Sequence, residues 1–134
     1  MSPNAKRRPV CPSIVFCQRV VAYPDVLQFD LFRVFSGLGV PAVPLPITMF
    51  VVFSITDGEG LYRLDLSVEH DESESTFLKM DSSVDLRSPV VVHDQALQIT
   101  FKAEQFGTYT VKPFADGSLI GQRTFSILPD RPPA

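Results

Sequence analysis

The apolar positions of this chain recur every second residue far more often than every third or fourth, which predicts strands. Ser13 to Tyr23 reads as a first strand, with Ile14, Phe16, Gln18 and Val20 on one side and Val15, Cys17, Arg19 and Val21 on the other. Pro24-Asp25 marks a turn. Leu27 to Phe35 alternates again, with Leu27, Phe29, Leu31, Arg33 and Phe35 against Gln28, Asp30, Phe32 and Val34; Phe32 is the exception on an otherwise polar side. These two strands are expected to form a hairpin. Ser36 to Pro46 holds three prolines and reads as a stiff loop. Ile47 to Thr56 is a nearly continuous apolar run, as expected of a central strand covered at least partly on both sides.

Asp57-Gly58-Glu59-Gly60 is a hairpin signal, since either glycine can take positive φ without steric cost. Leu61 to His70 would return from it, and residues 70–75 form a polar loop. Thr76 to Met80 and Val90 to Val92 are short strand candidates. Ala96 to Ala103, Thr108 to Ala115 and Leu119 to Leu128 follow, the last two joined by a tight turn at Asp116-Gly117-Ser118. Pro113 cannot donate to a ladder, so a bulge or an open edge is expected there. Tyr109, at the entry to a late strand, is expected to form a tyrosine corner, with its ring in the core and its hydroxyl on nearby backbone. About eight short strands with closely spaced turns predict an all-β fold, a single antiparallel β-sandwich spanning 11–128. Residues 1–10 form a basic N-terminal tail and 129–134 a proline-rich C-terminal tail.

Composition agrees. The 134 residues are 45% hydrophobic and 20% charged, with twelve prolines and eleven phenylalanines. That is enough chain to bury a core without disulfides or metal. The formal net charge of −3 hides an asymmetry: residues 1–24 carry four basic residues and no acid, whereas 57–85 carry nine acids against Arg63 and Lys79. No aromatic residues interleave with Lys6, Arg7 and Arg8, so these read as a solubilising tail rather than a nucleic-acid contact. Cys11 and Cys17 lie roughly 20 Å apart on an extended strand, beyond disulfide reach. Two reduced thiols point to a cytoplasmic protein. Val34 to Thr56 carries no charge over 23 residues, but two glycines and three prolines argue against a spanning helix. No membrane association is expected.

Several of these segments carry a resemblance. Cys17 on the first strand, Thr56-Asp57-Gly58-Glu59-Gly60 with Tyr62-Arg63-Leu64, Phe106-Gly107-Thr108-Tyr109, and Asp116-Gly117-Ser118-Leu119-Ile120 with Arg123 and Phe125 together resemble an uncharacterised bacterial domain-of-unknown-function family. The resemblance implies an immunoglobulin-like β-sandwich and a soluble address, and assigns no activity to any residue. Such domains often carry proline before the glycine, where this chain has Phe106.

The inventory for chemistry is short. His70 and His93 each precede an aspartate, but strand neighbours point opposite ways, so adjacency makes no dyad; both read as surface histidines beside loops. Gly37-Leu38-Gly39 lacks the lysine and following helix of a phosphate loop. Glu69, Asp71, Glu72 and Glu74 are the metal candidates, for calcium. Ser73 and Ser75 interleave with them as at a solvated tip, and no Asp-x-Asp-x-Asp-Gly spacing is present. The expectation is therefore no catalytic residue, no cofactor and no committed metal site. The predicted function is a non-enzymatic β-sandwich module that binds an unknown protein partner or itself. The alternative is a small-molecule or calcium-binding sandwich using loops 57–60 and 69–75.

Overall fold

The computed structural model describes residues 7–23, 25, 28–73 and 76–130, with the backbone alone at 76–81. They form eleven strands and no α-helix: β1 (Val10–Cys17), β2 (Arg19–Tyr23), β3 (Gln28–Phe32), β4 (Gly37–Val40), β5 (Leu45–Thr56), β6 (Gly60–His70), β7 (Thr76–Leu86), β8 (His93–Ala103), β9 (Gly107–Ala115), β10 (Ser118–Leu119) and β11 (Arg123–Pro129). One sheet has the order β1-β5-β8 and a second the order β4-β11-β9-β6-β7, with β10 paired to β9. β2 and β3 pair only with each other. Among the described residues no helix is long and apolar enough to cross a membrane; the uncharged stretch 34–56 is β4, a loop and β5.

The period-two pattern is what joins the two sheets. Ile47, Met49, Val51, Phe53 and Ile55 of β5 are buried on one side, as are Tyr62, Leu64, Leu66 and Val68 of β6. Rings from both sheets meet between them. Phe125 of β11 lies 5.2 Å from Phe16 of β1, 5.5 Å from Tyr109 of β9 and 6.2 Å from Phe101 of β8. Each such ring contributes about 1.5–3 kcal/mol by leaving water. The Tyr109 hydroxyl donates to the Gln105 carbonyl, so the expected tyrosine corner is present.

One seam between the sheets is closed by polar groups. The Cys11 N–H donates to the Ile120 carbonyl at 2.9 Å. Arg123 donates to the Ile14 carbonyl, and its guanidinium sits 5.5 Å from the centroid of Phe16. The result is a curled arrangement in which β1 and the start of β11 lean on each other.

Several expectations change. The first predicted strand divides at Gln18, so β1 pairs with β5 while β2 pairs with β3. The predicted loop 36–46 contains β4, which runs parallel to β11 through Ser126↔Gly37 and Leu128↔Gly39. That partner lies some ninety residues away, beyond the reach of local periodicity, and it makes the second sheet mixed rather than purely antiparallel. Val90–Val92 is an exposed turn segment and not a strand; Val90 is 88% exposed. The last predicted strand divides into β10 and β11. Pro113 makes no bulge and lies on no edge. It keeps register with Leu66 of β6. Its other side falls between the end of the β11 ladder at Val111 and the β10 partner Phe114, where no donor is required.

The Asp57–Gly60 segment is not a hairpin turn. It carries the chain from β5 in one sheet to β6 in the other. Asp57 (φ 66°) and Gly60 (φ 110°) supply the left-handed backbone, whereas Gly58 is needed for space. A Cβ on Gly58 would stand 2.7 Å from Cδ1 of buried Leu86 and 3.0 Å from both Pro9 and Tyr62. Gly58→Ala is therefore expected to destabilise the fold by about 1–3 kcal/mol in urea unfolding. A neutral or stabilising result, the usual outcome where alanine fits, would show that Leu86 can give way.

Candidate functional site

The β2–β3 hairpin forms a third layer. Its register places Val20, Ala22, Phe29 and Leu31 on one face and Arg19, Val21, Tyr23, Gln28, Asp30 and Phe32 on the other. β2 runs beside β5. Cys17, fully buried, lies on the side of β1 opposite Ile14 and Phe16, outside the main core. Phe50 and Val52 on the outward side of β5 are half-buried. Around Phe50 and Val52 β5 is thus at least half-buried on both sides, in keeping with the partial two-sided cover that its composition predicts.

On the outward face of the hairpin Val21 and Asp30 are half-buried, whereas Arg19, Tyr23, Gln28 and Phe32 are exposed. Phe32 is 41% exposed and Tyr23 is 42% exposed. The Arg19 guanidinium lies 4.8 Å above the Phe32 ring, which explains why a phenylalanine stands on the polar side. The Tyr23 hydroxyl donates to Asp30 at 2.8 Å, and this bond pushes the phenol pKa upward. Beyond Phe32, Arg33 takes φ 55°, which ends β3. Gln18, Arg19, Phe32 and Arg33 line a shallow recess of about 350 Å³.

At the other end of the hairpin a cavity of about 280 Å³ lies between the strand ends and the first residues of β8. Ala22, Tyr23, Gln28 and Phe29 line it from the hairpin, and Val92, His93 and Asp94 from the β8 side. Asp94 faces Ser54 across the β5–β8 ladder, and the Ser54 hydroxyl donates to its carboxylate at 2.5 Å. His93 makes no hydrogen bond to a carboxylate among the described residues.

The sequence-derived metal candidates do not converge. Glu69 holds Lys112 at 2.7 Å and Asp71 accepts from Thr110 at 2.5 Å, both across the β6–β9 ladder. Glu72 is exposed, and Glu74 lies outside the described residues. No group of three or more His, Cys, Asp or Glu able to hold a metal occurs among the described residues. Loops 57–60 and 69–75 begin at opposite ends of the eleven-residue β6, roughly 30 Å apart at ~3.3 Å per residue, so they cannot form one site. On the outward side of β6 the Asp65 Oδ1 and Ser67 Oγ atoms are buried without a hydrogen-bond partner among the described residues, although the Arg63 guanidinium stands 3.9 Å from Asp65 Oδ1.

His70 is not a surface residue. It continues the inward series Tyr62, Leu64, Leu66, Val68 and is fully buried. Its Nδ1 accepts from the Ser73 N–H at 3.2 Å, which leaves the proton on Nε2 to donate to the Phe106 carbonyl at 3.0 Å. The ring packs edge-on to Tyr109 at 4.9 Å. Both nitrogens are therefore committed to holding the β6 exit against the approach to β9. Cys11 and Cys17 are free and buried. Burial pushes the Cys11 thiol up to about 11 and raises Cys17 as well, the reverse of nucleophile activation.

No family model matches the chain, and no curated protein matches it. Among solved structures it is similar to the Pseudomonas fluorescens alkylpurine DNA glycosylase AlkC bound to DNA containing an abasic site analog. That likeness has a TM-score of 0.47 at 8% identity and covers 86% of this chain and 30% of the other. The chain thus spans under a third of that protein's length.

His70→Phe retains the volume but strands the Ser73 N–H and the Phe106 carbonyl. A loss of about 2–4 kcal/mol is expected in urea unfolding. A loss below 0.5 kcal/mol would show that the imidazole is not the connector described.

Proposed function

We propose that this chain is a non-enzymatic protein-binding module, and that its docking element is the outward face of the β2–β3 hairpin. One observation carries the reading: Arg19 stacked on exposed Phe32, with Tyr23 on the same face. Aromatic residues and arginine dominate the energy of protein interfaces, and here they stand on a hairpin outside both sheets. Two further features favour it. A two-stranded unit is marginal in water by itself, so covering its outer face adds to its stability. Arg19 and Arg33 around the recess favour a partner that presents carboxylates. A partner of that kind, or a second copy, fits the face equally.

We infer also that the two sheets are an immunoglobulin-like sandwich. Support comes from the order β1-β5-β8 facing β4-β11-β9-β6-β7, in which the first part of the chain serves both sheets, and from the Tyr109 corner. The resemblance to a bacterial family of unknown function and a cytoplasmic address belong to the same reading. The second rests on two buried, unpaired thiols.

The test is a Phe32→Asp, Arg19→Glu variant, both changes being on exposed side chains. The wild type is expected to self-associate in sedimentation, or to retain a partner on affinity capture that the variant loses, while the variant unfolds within about 1 kcal/mol of the wild type. A monomeric wild type whose captured set equals that of the variant would overturn the reading.

A further inference from the structure

The cavity beside the ends of β2 and β3 shares Tyr23 with the docking face and adds groups that the face does not use. Asp94 forms one wall, and its Oδ1 is steadied by Ser54. Phe29 and Tyr23 add two aromatic side chains to its lining. Tyr23 is itself bonded to Asp30, so a second carboxylate lies one hydrogen bond behind the phenol. Ala22 and Val92 supply the apolar remainder, and Gln28 and His93 the further polar groups. Among the described residues no lysine or arginine lines it. The nearest cation of the hairpin, Arg19, is four residues back along β2 from Tyr23, about 13 Å at ~3.3 Å per residue, and is engaged with Phe32.

A carboxylate and two aromatic residues lining one cavity favour a positive ligand twice. The charge pairs with the carboxylate, and the ring quadrupoles attract the same charge. A volume of about 280 Å³ falls just below the ~300 Å³ lower bound for drug-sized pockets, so the ligand is of one-ring size. We propose that this cavity is a binding site for a small organic ammonium with an apolar body, its nitrogen at Asp94 and its body between Phe29 and Val92. The site shares Tyr23 with the proposed docking face but neither Arg19 nor Phe32, so the Asp94 and Phe32/Arg19 variants test the two readings independently.

The probes are phenethylammonium, phenylacetate and 2-phenylethanol, which differ in charge but little in shape. Each is titrated into the full chain and followed by amide and methyl NMR shifts. Phenethylammonium is expected to give saturable shifts centred on Ala22, Phe29, His93 and Asp94, with at least tenfold weaker binding of the other two. Asp94→Asn keeps an oxygen for the Ser54 hydroxyl but removes the charge. It is expected to weaken phenethylammonium at least tenfold and to leave 2-phenylethanol within twofold. The inference is overturned by no saturable shift at 20 mM phenethylammonium, by equal or tighter binding of phenylacetate, or by unchanged phenethylammonium affinity in Asp94→Asn. The unliganded spectrum of that variant, unchanged away from β5 and β8, establishes that it is folded.

Discussion

Everything in this chain depends on a small group of rings that belong to both sheets at once. Phe16 and Phe101 come from the three-stranded sheet, and Tyr109 and Phe125 from the other. Neither sheet can bury its apolar side without the other, because each presents the same two-residue period to a single interior. Backbone pairing sets the order of strands within a sheet. The rings set which sides face each other. The Arg123 bond to Ile14 and the Cys11 bond to Ile120 then fix one seam.

The strand class and the core were legible because alternation is a local signal with a direct cause. Tyr62 to His70 alternates without interruption and 47–55 is almost continuously apolar, and the structure buries every second residue of each, counted from Tyr62 and from Ile47. His70 was legible by the same rule and was misread because polar residues follow it. Pairing partners were not legible. Asp57-Gly58-Glu59-Gly60 has the composition of a tight hairpin, yet a turn sequence does not say whether the next strand stays in the sheet. Gly37–Val40 is too short and proline-flanked to announce a strand whose partner is Ser126–Pro129. Of the candidate sites, the acidic residues near 69–72 were visible as charge but are taken up by Lys112 and Thr110. The hairpin layer left one trace in the sequence, Phe32 on a polar face. Its meaning required Arg19 to be seen above it.

The β2–β3 hairpin lies outside the ladders of both sheets and presents a surface of mixed apolar and charged residues. It also creates a cavity that neither sheet has alone. Cys11 and Cys17 are buried with raised pKa values, and His70 is held at both nitrogens. These two thiols and this imidazole are therefore part of the scaffold.

Hydrogen exchange on Phe125→Ala tests the central claim most directly. Removing a ring that contacts both sheets should cost about 3–5 kcal/mol. The slowest amides of β5 and β8 should then lose protection by the same free energy as those of β6 and β9. Protection lost in β9 and β6 alone, with β5 and β8 unchanged, would contradict the claim, since it would mean that each sheet is stable on its own.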